Sequence, residues 1–299
     1  MRRRNLARGL RALGRKFGLY ALGLVVAAFT ALPAVAQEDP YLWLEEVEGE
    51  RAMEWVLDQN AQTRSELQAL PAYQRAFDNT MAILTSDDRI PFPSMRGEWL
   101  YNFWTDGEHP RGIYRRTSWD DYLSGDPDWE MVLDIDALAA AEDQAWAFRG
   151  MSCLAPENRH CLVNLSRGGA DATEIREFDL HRMGFVEDGF FISEAKNGAV
   201  FVDPNTVLVA TDFGPGTTTT SGYPRTVRRW SRGQALSEAQ VVFEAAETDM
   251  ATFTGTWEIG EKVYGVVSHL QTIFERVSYV LMDGELIRID TPADASTFV

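Results

Sequence analysis

Hydrophobic positions along the chain follow two periods, and the change between them falls near residue 90. Before it the spacing is helical. Glu48 to Leu67 combines high helix propensity with Met53, Val56, Leu57 and Leu67 near one face. Pro71 breaks that helix. Tyr73, Ala76, Phe77 and Leu84 then resume the spacing and predict a second helix ending near Ser86. The prolines of IPFP, residues 90–93, close the helical part. From Gly97 onward apolar and polar residues alternate in short runs. EWLYNFW places Trp99, Tyr101 and Phe103 on one face. TVLVAT, TVRRW, KVYGVV and RVSYVLM are rich in Val, Thr and aromatics and predict strands. Asp283-Gly284 is a hairpin turn between RVSYVLM and ELIRI. In this half only Asp136 to Asp143 is predicted helical.

The strand half repeats itself coarsely. Four times a turn-former precedes a strand of the same kind, in RGEWLYNFW, ENRHCLVNL, DPNTVLVAT and IGEKVYGVV. With Gly97, Asn158, Pro204 and Gly260 as markers, the intervals are 61, 46 and 56 residues. Each interval holds about four short strands, which is the pattern of four-stranded β-propeller blades. A β-sandwich with long loops is the alternative. The expected fold is mainly β, a partial propeller of about four blades behind an N-terminal helical arm. A propeller ring must close. The last residues, TPADASTFV, carry no closing-strand signal, so the ring is expected to be unfinished.

The first residues differ from the rest. MRRRNLARGLRALGRK is basic and free of acids, FGLYALGLVVAAFTAL is apolar, and Ala34 and Ala36 fit an A-x-A cleavage site. That order is a secretory leader over residues 1–36, cleaved after Ala36. An uncleaved anchor is the competing reading. The expected layout is thus a signal peptide at 1–36, a helical arm at 37–88 and a partial propeller at 89–299, in a periplasmic or secreted protein. Losing the leader takes the net charge from −17 to −24. So acidic a surface disfavours nucleic acid and anionic lipid as partners. No membrane association is expected after cleavage. Export also bears on Cys153 and Cys161, the only two cysteines. Pro156, Glu157 and Asn158 look like a turn that sets them opposite each other, within reach of a disulfide. Two buried thiols are the other reading.

The one stretch that resembles a nucleophile motif is LVNLSRGGAD, residues 162–171. An elbow needs a strand, a tight turn and a helix around its serine. Here Asn164 stands at the first glycine position, and ADATEIREFDL reads as turn then strand. Ser166 is therefore expected at a strand end, with Gly168-Gly169 as a turn. The four histidines, His109, His160, His181 and His269, read as surface or packing residues. No metal or nucleotide motif is present, and no cofactor is expected. GPGTTTTSGYPR, residues 214–225, is either an exposed inter-strand loop or a rim loop that touches substrate or a facing domain.

EDPYLWLEEVEGERAMEWVLDQN, residues 38–60, resembles the start of prolyl oligopeptidase family serine peptidases. The family's D-P-Y-x-W-L-E-(D/E), followed by a helix with W-V-x-x-Q-N, is matched by Asp39, Pro40, Tyr41, Trp43, Leu44, Glu45, Glu46, Trp55, Val56, Gln59 and Asn60. LVNLSRGGADATEIREFDL and SGYPRTVRRW look like propeller segments of bacterial members. The resemblance implies a helical arm that packs on an α/β-hydrolase domain, then a seven-bladed propeller. Serine, aspartate and histidine come later in such chains. It implies a peptidase whose partners are short peptides and its own C-terminal hydrolase domain. It assigns no catalytic residue to any position here. A stand-alone exported propeller that binds peptide or protein without catalysis is the second function considered.

Overall fold

A computed structural model describes residues 39–46, 49–86, 88–260, 262–292 and 294–295. The expected leader and the Ala36 site lie outside these residues. The chain divides into two compact units, residues 1–76 and 77–299.

The first unit shows why its tryptophans stand where they do. Asp39 accepts a hydrogen bond from the Tyr41 N–H at 2.9 Å and tightens the turn into a 3-10 segment, Leu42–Glu45. Trp43 donates its indole N–H to the Pro40 carbonyl at 2.9 Å. Helix α1 (Glu50–Gln68) follows. Its Trp55 meets Trp43 edge to face, with centroids 6.2 Å apart, and Arg51 lies 4.1 Å over the Trp43 ring. Edge-to-face and cation–π contacts fold the entering segment back onto the helix. Met53, Val56, Leu57 and Leu67 of α1 remain exposed. Helix α2 (Pro71–Leu84) begins at Pro71. Proline at a first helical position loses no hydrogen bond, so the residue that stops α1 also starts α2.

The second unit is four antiparallel sheets in sequence order. The first holds β1 (Ser94–Arg96), β2 (Trp99–Trp104), β3 (Ile113–Ser118) and β4 (Glu130–Asp134). The second holds β5 (Trp146–Cys153), β6 (His160–Arg167), β7 (Thr173–Asp179), β8 (Gly184–Phe185) and β9 (Phe191–Ala195). The third holds β10 (Gly198–Asp203), β11 (Thr206–Ala210), β12 (Thr226–Ser231) and β13 (Gln240–Glu244). The fourth holds β14 (Ala251–Ile259), β15 (Lys262–Leu270), β16 (Arg276–Met282) and β17 (Glu285–Arg288). Each sheet is a meander that packs on the next. These are propeller blades one to four in chain order.

The four sequence markers occupy one structural place. Gly97, Asn158, Pro204 and Gly260 all stand in the turn from the first to the second strand of a blade. The repeated strand is thus the second of each blade. In the middle blades it is buried on both faces. All five residues of β11 are buried: Val207 and Val209 pack toward blade two, Leu208 and Ala210 toward blade four. In β6, Cys161, Val163 and Leu165 face blade one while Leu162 faces blade three.

Two features differ from what the sequence pattern predicts. Asp136 to Asp143 is not the only helical piece of this half. Helix α3 (Trp119–Leu123) sits between β3 and β4, and a 3-10 turn covers Leu236–Glu238. The Ser118 hydroxyl caps α3 by accepting from the Asp121 N–H at 3.1 Å. A single capped turn is too short to show periodicity in the sequence. The expected helix is α4 (Ile135–Glu142), capped by Asp134. Blade two also has five strands rather than four. Both β8 and β9 pair with β7, at its two ends, so the outer strand is broken between Phe185 and Phe191.

Candidate functional site

The meander gives every blade two ends. One end carries the tight turns just named. The other carries the loops from second to third strand: 105–112, 168–172, 211–225 and 271–275. It also carries the links between blades, at 135–145, 196–197 and 245–250. Residues 88–93 lead into β1 from this loop end as well. First strands lie close together, with β10 in contact with β5 and more extensively with β14. The sheets therefore fan out from their first strands.

Where the fan converges, the loop end holds a groove of about 110 Å³ lined by Asp171, Lys196, Asn197, Tyr223, Pro224 and Phe253, with Thr252 at its base. Three blades contribute to it. Asp171 comes from the β6–β7 turn, Lys196 and Asn197 from the link to blade three, Tyr223 and Pro224 from loop 211–225, and Phe253 from β14. The Tyr223 hydroxyl donates to Asp171 Oδ2 at 3.0 Å, and the Lys196 ammonium lies 3.5 Å from the same oxygen. Lys196 also sits 4.3 Å from the Tyr223 ring centroid. Phe253 meets Tyr223 edge to face at 6.1 Å. The result is a small cleft with one cation, one carboxylate and two aromatic faces, suited to a peptide backbone with an apolar side chain.

Loop 211–225 presents Tyr223 because it is folded, not slack. Thr218 and Pro224 form an isolated β-bridge, and the Thr219 N–H donates to the Tyr223 carbonyl at 2.8 Å. Gly222 takes φ +73 in the turn between them. Arg225 pins the base, donating to the carbonyls of Ala245 and Gly216 and to Glu244 at 2.7–2.8 Å. Arg228 lies 3.9 Å from the Phe213 ring centroid. The basic residues after the loop therefore brace it.

The residues singled out for chemistry are dispersed. Ser166 lies within β6, fully buried opposite Ala147, and Gly168-Gly169 turns the chain into strand β7 rather than a helix. Its hydroxyl has no partner among the described residues. Cys153 and Cys161 are paired across β5–β6, with Cα atoms 4.0 Å apart, and are joined by a disulfide. His109 bonds Asp106 at 3.1 Å and His181 approaches the Glu157 carbonyl at 3.3 Å. His160 reaches Glu177 at 3.4 Å, and His269 Nε2 reaches Asp249 at 2.8 Å. Each histidine is engaged locally, and none is hydrogen-bonded to Ser166. Among the described residues no cluster of His, Cys, Asp and Glu could hold a metal ion.

Sequence reasoning missed a buried, heavily engaged carboxylate that bridges two blades. Glu177 is almost fully buried and takes a bidentate bond from Arg232, at 2.8 Å to each oxygen. It also accepts the Phe190 N–H at 2.9 Å. Burial pushes its carboxyl upward, but the guanidinium and the amide outweigh burial and hold it below the usual carboxylate range. It joins blade two to blade three. Nothing in REFDL distinguishes it from the chain's other acids.

Known proteins share this fold. The family described as prolyl oligopeptidase, N-terminal beta-propeller domain, matches residues 25–279. An uncharacterized peptidase of Sinorhizobium fredii is 40% identical over 218 residues, 73% of this chain and 30% of that protein. An uncharacterized peptidase of Rickettsia prowazekii is 32% identical over 211 residues, 68% of this chain and 29% of that protein. A solved post-proline cleaving enzyme from Rickettsia typhi superposes with a TM-score of 0.78 at 28% identity, over 85% of this chain and 39% of that one. The chain thus spans about a third of the length of the relatives it matches.

Proposed function

Since the chain belongs to the prolyl oligopeptidase N-terminal β-propeller family, we propose that it is the propeller portion of an exported serine oligopeptidase. In this reading a serine, histidine and aspartate on a segment outside residues 1–299 cleave a peptide bond. The serine attacks the carbonyl, the histidine takes its proton and the aspartate orients the histidine. The propeller contributes no reacting group. It admits short extended peptides and turns away folded proteins.

The observation that carries this reading is the loop-end groove, where three blades converge on Asp171, Lys196, Tyr223 and Phe253. The chain enters β1 from that same end, which supports placing the hydrolase segment there. The exposed apolar residues of α1, Met53 and Leu57 among them, support its packing on a partner surface. The leader-like sequence pattern of residues 1–36 and the Cys153–Cys161 disulfide support an oxidising compartment. Residues 37–88 serve as the arm and 89–299 as the propeller.

A product that extends beyond Val299 is expected to react with a fluorophosphonate label and to hydrolyse short peptides, with the N-terminus of the exported form at Gln37. Absence of labelling overturns the peptidase reading. Cleavage of folded proteins as fast as short peptides overturns the gating role. An N-terminus at Met1 in the exported fraction overturns the leader.

A further inference from the structure

Every blade's first strand pairs on one side only; its other edge is unpaired by any strand among the described residues. Such edges attract extended backbone, and proteins blunt them with short length, bulges or charge. Three of the four are blunted. β1 has three residues. β5 shifts register between Phe148 and Gly150, where Arg149 stands, and β10 shifts between Phe201 and Asp203. β14 has none of these protections. It runs nine residues in unbroken register with β15, from Ala251 opposite Leu270 to Ile259 opposite Lys262. It contains no proline and no cation, and its one charge is Glu258, next to last in the strand.

One bond fixes the direction of its backbone. The Thr252 N–H donates at 2.8 Å to the carbonyl of Pro224, on the side away from β15. In an antiparallel strand the N–H and C=O of a residue point to the same side, and the side alternates with each residue. Thr254, Thr256 and Glu258 therefore turn their backbone groups to the free edge, in line with Thr252. The extended segment at Pro224 already uses the first position. At the centre stands Gly255, with nothing within 4 Å of where a Cβ would lie. A glycine inside a strand commonly marks the approach of another backbone.

The geometry points to this edge, Thr254 to Glu258, as a docking site at which an extended peptide adds to blade four as an extra strand. Only an extended backbone offers donors and acceptors at strand spacing. β10 flanks β14, and the groove at Tyr223 and Phe253 opens where β14 starts. That setting favours one thin strand over the sheet of a second copy. The inference rests on the peptidase reading and adds how the propeller holds the peptide: through main-chain bonds that read no side-chain sequence.

The test uses the 299-residue chain and a fluorescent, N-acetylated and C-amidated hexapeptide of alternating threonine and valine, followed by anisotropy. Thr256→Pro removes one outward N–H and leaves the β14–β15 ladder intact, as proline is tolerated on an edge. It is expected to weaken binding roughly tenfold. Thr256→Val keeps the N–H and is expected to bind within about twofold of the parent chain. Alternate N-methylation of the peptide is expected to abolish binding. Should Thr256→Pro lower the melting temperature, Glu258→Pro repeats the test at the next outward position. Equal binding by the proline variants, or no binding by the parent chain, overturns the inference. So does a doubling of mass that Thr256→Pro abolishes, which would make the occupant a second copy. Fluorophosphonate labelling of the extended product separates the two readings: labelling with unchanged peptide turnover in Thr256→Pro sinks this edge alone, and absence of labelling sinks the peptidase.

Discussion

Blade three is covered on both faces, and its two seams are held by different forces. Toward blade two, an aromatic cluster joins the aliphatic core: Phe190 meets Phe201 and Trp230 edge to face at 5.6 and 4.8 Å. Glu177 and Arg232 close that seam, with the guanidinium 4.7 Å over the Phe190 ring. Toward blade four the centre of the seam is aliphatic, with Phe243 and Tyr279 meeting at 5.0 Å beside it. Leu208, Ala210 and Val227 pack on Val267, and Val202 adjoins them. There Gly265 approaches so closely that an added Cβ would fall 2.6 Å from Leu208 Cδ1 and 2.7 Å from Val202 Cγ1. The break in the outer strand of blade two accounts for the difference. It frees the Phe190 N–H from a strand ladder, and the buried Glu177 carboxylate takes it up. A regular blade needs no such substitute and can rely on shape.

The largest effect is expected at the charged seam. Glu177→Ala leaves Arg232 without its carboxylate and the Phe190 N–H without an acceptor. Losing one partner of a buried pair costs about 3–5 kcal/mol, nearer the lower figure here because Arg232 is partly exposed. Urea unfolding followed by tryptophan fluorescence measures it. The seam also predicts an acid limit. Glu177 titrates lower in the folded chain than its unfolded value of about 4.3. Its contribution is therefore complete above that pH and drains away as pH falls through the folded value. The midpoint of Glu177→Gln is expected to depend less on pH than the parent's between about pH 5 and pH 2. Parallel curves would mean that the clamp does not separate the two seams.

A smaller effect, of another kind, is expected at the aliphatic seam. Gly265→Val forces atoms into space that Leu208 and Val202 occupy, and overpacking costs about 1–3 kcal/mol. The loss should be insensitive to salt and pH. Leu208→Ala in the same chain vacates the blocked volume, so the pair should be less destabilised than the sum of the two singles. Additive losses would show that blade four shifts as a whole and that close packing is not what holds it.

These seams also show what the residues disclose in one dimension. The second strand of each blade was legible because it is the most regular: a turn, then apolar residues on both faces. Asp283-Gly284 was legible because both residues need positive φ, and they adopt +51 and +87. Pairing of Cys153 with Cys161 followed from a turn between two strands. Helix α3 escaped because one capped turn has no period. The groove escaped for a deeper reason. Asp171, Lys196, Tyr223 and Phe253 are spread over eighty residues of sequence, and each looks ordinary where it stands. Only the convergence of three blades makes them neighbours. Glu177 and Arg232, 55 apart, share that obscurity, since complementary charge between blades leaves no periodic trace.

The smallest expected effect tests whether the aliphatic seam is free of electrostatic support. Asp249, in the link between blades three and four, accepts the Ala246 N–H at 2.9 Å and bonds His269 Nε2 at 2.8 Å. Burial raises its carboxyl, but His269 and the amide outweigh burial and hold it below the usual range. His269 packs on Phe243 at 5.2 Å, so the bond ties the link to the edge of the seam. Asp249→Asn keeps an oxygen for Ala246 and weakens the charge-assisted bond, at a cost of about 1 kcal/mol. The change should be local. Hydrogen exchange is expected to quicken at Ala246, while the amides of β11 and β15 keep their protection. A loss as large as that of Glu177→Ala, with exchange quickening across blade four, would mean that a carboxylate governs both seams. The contrast between charge and shape would then fail.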